Sequence, residues 1–145
     1  MPYIMKTIKG TAIDSVLQKV KRVYLCGHLD KVNDFDHIEN DGLEIGISRY
    51  RVFTADLPHV HTFNDEYNIV LKGEMKVYLF NEKKEYIVRE GDLFLIEPDM
   101  PYISKAMPGT EVLFVKSPGG NDKQLRDIDP ATEHWMQAWE NTMNQ

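Results

Sequence analysis

Three patterns of apolar and polar positions divide the 145-residue chain. Near the start, Ile13, Val16, Leu17 and Val20 fall at the i, i+3, i+4, i+7 spacing of one helical face, behind Thr11 and with Asp14 in the first turn. That spacing predicts a short helix. Val23-Tyr24-Leu25-Cys26 then forms a brief apolar run stopped by Gly27, and the stretch from His28 to Glu39 is polar, as a connecting loop is. From about Gly42 to Lys116 the period shortens. Runs rich in Val, Ile, Leu, Tyr and Phe (Leu43 to Phe53, Tyr67 to Leu71, Met75 to Phe80, Tyr86 to Val88, Asp92 to Ile96, Glu111 to Val115) are broken by turn residues at Asn40-Asp41-Gly42, Lys72-Gly73-Glu74, Asn81 to Lys84, Glu90-Gly91 and Met107-Pro108-Gly109. Short strands with this punctuation predict an all-β barrel or sandwich. A third pattern follows the break at Ser117-Pro118-Gly119-Gly120: Asp129 as N-cap and Pro130 as first helical residue open a helix carrying Trp135, Met136, Trp139 and Met143 on one stripe. That stripe is expected to pack on the outside of the β-domain.

One domain over residues 1–145 is therefore expected, with a β-barrel core at 43–116 and flanks at 1–42 and 117–145 that hold one helix each. On the strand Tyr67 to Leu71 the alternation turns Asn68 and Val70 inward and Tyr67, Ile69 and Leu71 outward. Three large apolar residues on an outer face call for a cover, from the terminal helices or from a second copy of the sheet.

Composition narrows the partners. A single cysteine, Cys26, excludes an intrachain disulfide and a zinc-finger framework. It reads as a small buried hydrophobe, since no basic residue nearby would lower its pKa. Seventeen Lys+Arg against twenty-three Asp+Glu give a net charge of −6, which disfavours nucleic acid and anionic membrane surfaces. Apolar stretches such as Leu93 to Ile96 are far shorter than the roughly 20 residues of a membrane span. Charges interrupt Met1 to Lys21 where a signal peptide has its apolar centre, so a soluble cytoplasmic protein is expected.

The histidines carry the candidate chemistry. His59 and His61 are two apart, so on a strand they share a face, and Glu66 follows where a turn can bring its carboxylate back toward both rings. Two imidazoles and a carboxylate suit Fe(II), Mn(II) or Zn(II) and leave coordination positions open. His28, His37 and His134 have no partner at ligand spacing and read as surface residues, and Glu82 to Glu85 as a solvated hairpin tip.

His59-Val60-His61, four further residues, Glu66, then six residues and Gly73 resemble the first motif of the cupin superfamily. Gly91-Asp92-Leu93-Phe94-Leu95-Ile96-Glu97-Pro98-Asp99-Met100-Pro101-Tyr102 is similar to its second motif. The resemblance implies a small jelly-roll barrel with a site in its mouth, His59, His61 and Glu66 as ligands of a divalent transition metal (Fe, Mn, Zn or Ni), Gly73 and Gly91 as turn residues, and a homodimer. Two positions depart from the family pattern. Phe53 stands where a leading glycine is usual, and Tyr102 stands where the family usually has a fourth, histidine ligand. Three roles are open for Tyr102: a weak fourth ligand, an acid or hydrogen-bond donor toward substrate, or the mark of a site without metal. The leading expectation is a metal-dependent enzyme, an isomerase, lyase or oxygenase acting on a small polar metabolite such as a sugar derivative or oxo acid, with Tyr102 as proton donor. The alternatives are a non-catalytic small-ligand-binding barrel and an interaction scaffold.

Overall fold

The structure, a computed structural model, describes all residues except 1–3, 31, 32, 34, 144 and 145. In chain order the elements are α1 (Gly10–Leu17), β1 (Arg22–Gly27), β2 (Ile38–Glu39), β3 (Glu44–Tyr50), β4 (Thr54–Ala55), β5 (His59–His61), β6 (Asp65–Lys72), β7 (Glu74–Leu79), β8 (Lys84–Arg89), β9 (Leu93–Ile96), β10 (Tyr102–Ala106), β11 (Thr110–Ser117), β12 (Lys123–Leu125) and α2 (Pro130–Gln137). Two sheets face each other as a jelly roll. One runs β2-β1-β3-β11-β6-β9, and the other runs β12-β5-β10-β7-β8 with β4 on β10. Every pairing except β1 with β2 is antiparallel.

The inward positions of the strands make the core: Tyr50, Val70, Met75, Val77, Leu79, Val88, Ile96, Tyr102, Ala106 and Val112. Asn68 and Val70 are buried on β6, as alternation requires. The turn between β6 and β7 needs Gly73. Its φ is +79°, and a Cβ there would stand 2.7 Å from the Cα of Thr110.

The sheets reach beyond residues 43–116. Val23, wholly buried, draws β1 onto β3 opposite Ile47, and β12 closes the other end against β5. A strand absent from the sequence reading, β10, is buried at all five positions. Its Ser104 and Lys105 hide the apolar pattern, because Lys105 points outward into the C-terminal segment rather than to water. At the first helix, Lys9 and not Thr11 is the N-cap, Asp14 lies past the first turn, and the helix stops before Val20, which is 53% exposed. Ile13, Val16 and Leu17 still form the buried face, against Val23, Leu25 and Ile47.

The carboxylate of Asp129 accepts the Thr132 N–H at 2.8 Å and Pro130 opens α2, as predicted. Trp135 is fully buried against Tyr78 and Ile103, with Phe80, Met136 and Met143 around it, while Trp139 lies past the helix end. The two helices thus cover the outside of β1 and β3 and of β7 and β10. The outer face of β6 stays open, with Tyr67, Ile69 and Leu71 37–39% exposed. No helix among the described residues is long and apolar enough to cross a membrane.

Candidate active site

β5 is only three residues long, and its alternation buries both His59 and His61 while leaving Val60 between them half-exposed. β10 runs antiparallel beside it with Tyr102 paired directly to His59, and Glu66 comes from β6 in the facing sheet. These four side chains meet at one atom, the phenol oxygen of Tyr102. It lies 2.9 Å from His59 Nε2, 3.4 Å from His61 Nε2, and donates to Glu66 Oε2 at 2.9 Å.

The far side of each imidazole fixes what faces the phenol. His59 Nδ1 is 2.8 Å from the Leu57 carbonyl, which can only accept, so Nδ1 carries the proton and Nε2 of the neutral ring presents a lone pair. Burial pushes the His59 pKa down to about 4, which keeps the ring neutral at physiological pH. His61 Nδ1 lies 2.7 Å from Asp122 Oδ1. Burial works against the Asp122 charge but is outweighed by the N–H groups of Phe63 and Asn64 and by His61, leaving its pKa at about 2. The carboxylate therefore fixes His61 Nδ1 as donor and turns Nε2 inward. Burial, and then Glu66, raises Tyr102 well above the usual phenol value, so it keeps its proton. The phenol proton goes to Glu66, and the neutral His59 ring faces the same oxygen with a lone pair.

The donor set has the chemistry of a first-row transition-ion site: imidazole lone pairs and a carboxylate turned inward, with their other nitrogens tied back to a carbonyl and a carboxylate. The spacing, however, is that of a phenol-centred cluster. Ligands sharing one such ion lie within about 4.4 Å of each other, and among the described residues the one group of three candidate ligands whose atoms all come within 4.8 Å is His28, Glu39 and Asp41. That exposed group corrects the reading of His28 and His37 as unpartnered. Parallel pairing of Gly27 with Glu39 brings the Glu39 carboxylate 2.6 Å from His28 Nδ1 and 3.0 Å from His37 Nε2. Cys26, read as buried, is half-exposed, and its thiol is pushed up by burial and by Glu39.

The cluster sits in the wall of a cavity of about 530 Å³ between the sheets. Arg22, Tyr50 and Asp56 form a second polar group on this cavity. Arg22 Nε donates to Ser48 Oγ at 2.8 Å and its Nη2 reaches the Tyr50 hydroxyl at 3.4 Å, while Tyr50 donates to Asp56 at 3.0 Å. Lys123 completes the wall from β12. Asp122, Arg22 and Lys123 were not visible as site residues in the sequence. Asp122 lies 61 residues after His61, and Arg22 and Lys123 lie 37 before and 64 after His59, in segments without a local motif.

A family model for the cupin domain matches residues 50–115. No curated protein matches the sequence. Among solved structures, the chain is similar to the cupin protein BF4112 of Bacteroides fragilis, with 19% identity, a TM-score of 0.54, and coverage of 89% of this chain and 93% of that one. It is also similar to KdgF from Halomonas sp., with 23% identity, a TM-score of 0.52, and coverage of 57% and 74%. A third is Pac13 of Streptomyces, a nucleoside dehydratase, with 12% identity, a TM-score of 0.52, and coverage of 60% and 70%. Motifs, jelly-roll topology and family match agree on a cupin domain over residues 50–115.

Proposed function

We propose that the chain is a cupin enzyme that acts on a small polar metabolite in the barrel mouth, with Tyr102 as proton donor and His59, His61 and Glu66 as holders of a divalent transition ion. The observation that carries this reading is the buried phenol that meets the inward faces of two imidazoles and a carboxylate. Of the reaction classes the sequence left open, elimination makes the most direct use of a buried acid. It needs a base for a proton beside a carbonyl and an acid for the leaving group. Tyr102 is a protonated acid at the cavity wall, and His59, His61 and Glu66 are taken up by the ion. When bound, the ion, whether Fe, Mn, Zn or Ni, would polarise the substrate carbonyl. Pac13 shows that a barrel of this fold can house a dehydratase.

The test combines metal content and turnover. Protein purified without chelator carries close to one first-row ion per chain, and His59→Ala or Glu66→Ala abolishes it. Tyr102→Phe keeps the ion and loses on the order of 10²- to 10⁴-fold in turnover, the usual contribution of one positioned acid. Wild-type protein that stays metal-free after reconstitution sinks the metal reading. A second reading, a non-catalytic ligand-binding barrel, is favoured by the phenol-centred spacing; ligand binding without metal or turnover would establish it.

We further propose a homodimer built on the open face of β6. Tyr67 pairs with Leu95 and Ile69 with Leu93 across β6 and the edge strand β9, and all four side chains, with Leu71, are 37–64% exposed.

A further inference from the structure

The charges around the cavity are unequally committed. Glu44 is paired with Lys116 at 3.4 Å, Asp56 with Lys21 at 3.3 Å and with the Tyr50 hydroxyl, and Glu66 with Tyr102. Two further cations line the cavity, Arg22 from β1 in one sheet and Lys123 from β12 in the other. Among the described residues neither has a carboxylate within 4.0 Å. Arg22 is half-buried, and its guanidinium is held directly by Ser48 and Tyr50, neutral partners that orient the fork, with the charge of Asp56 behind Tyr50. Lys123 has Asp56, Arg22, Glu66 and Lys116 as the charges around its ammonium, and its own charge is felt at His59. Burial presses it below the usual lysine range; Asp56 and Glu66 work against that shift, Arg22 and Lys116 with it. Two cations without a direct carboxylate partner on one cavity repel each other, and an anion between them removes that repulsion and forms charge-assisted hydrogen bonds.

We infer that Arg22 and Lys123 form the anion-binding end of this cavity, and that the molecule it takes carries a carboxylate, bound by the Arg22 fork and the Lys123 ammonium beside the His59–Glu66–Tyr102 cluster. A planar carboxylate matches the guanidinium fork, and the cavity has room for a sugar acid or an oxo acid. The assignment rests on reading the cavity as the substrate site, and it names the substrate class.

Thermal shift and calorimetry on the full chain test it with matched pairs: D-glucuronate against D-glucose, and D-gluconate against D-sorbitol, with inorganic phosphate alongside. The acids raise Tm and the neutral partners do not. Arg22→Met and Lys123→Met each weaken acid binding by about tenfold or more. Tyr102→Phe, which keeps both cations, retains the preference for acid over neutral sugar, so a lost acid preference in the Met variants is separable from lost catalysis. In the absence of ligand Lys123→Met leaves Tm unchanged or higher; a clear fall would make Lys123 a structural residue and overturn the inference. Equal binding of acid and neutral members, acid binding indifferent to both Met variants, or no protection by any acid also overturns it. Each of these leaves the metal and turnover tests of the catalytic reading standing. Phosphate bound in preference to every acid overturns the carboxylate.

Discussion

Tyr102 shows what a phenol does at the meeting point of two imidazoles and a carboxylate. Its one proton goes to Glu66. The cost falls on His59, which is held neutral in a buried place. Its pKa is about 4 in the fold and about 6.5 in the unfolded chain. Between these values the unfolded chain binds more protons, so this part of the stability is complete above about pH 6.5 and is lost as the pH falls through about 4, by about 3 kcal/mol at most. Urea midpoints measured between about pH 7 and pH 4.5 should fall with this slope, and His59→Gln should flatten it; an unchanged slope in the variant would place the titrating group elsewhere. The depressed Asp122 acts in the same direction but lower, between about 4 and 2, so the two contributions separate.

At the scale of elements, α2 and the chain after it are held by lysines as much as by the Trp135 stripe. Lys105, buried in β10, donates to the carbonyls of Trp135, Ala138 and Asn141 at 2.8 to 2.9 Å with its ammonium 4.0 Å from the Trp135 ring centre. Lys76 does the same for Trp139. Lys105→Met removes three donors to the end of the helix, and a loss of about 2–3 kcal/mol is expected, with a changed near-ultraviolet tryptophan signal. A variant as stable as the wild type would show that the apolar stripe suffices.

The same lysine explains what could and could not be read in advance. Strands with one polar face, such as β3, β6 and β11, announce themselves by alternation, and α2 by its Asp-Pro start. β10 does not, because a lysine wholly withdrawn from water looks in the sequence like a surface residue. The histidine pair and Glu66 were legible because their spacing is local. Asp122, Arg22 and Lys123 were not, since they reach the site through pairings β12–β5 and β1–β3 that no short window contains.

For the whole molecule, the unevenness of the cover is the informative property. One helix shields the β1–β3 side of the first sheet and the other shields the second sheet, yet the β6–β9 corner has neither, and β9 ends the sheet as an unpaired edge. If a second copy occupies that corner, light scattering gives twice the 16.9 kDa chain mass for the wild type and the single mass for Leu95→Glu. A monomeric wild type would discard the homodimer.

The segment from Asn121 to Leu125 crosses the mouth with Asp122 and Lys123 as adjacent residues, one steering His61 and the other facing the unpaired end of the cavity. Both ride on one short segment paired to β5. An ion gripped by His61 and an anion gripped by Lys123 would then each find the strand already arrested by its counterpart, and by the reciprocity of linked equilibria each would tighten the other's binding by the same factor. Two adjacent residues on one short strand would make the barrel a cooperative receptor for a cation and an acid together.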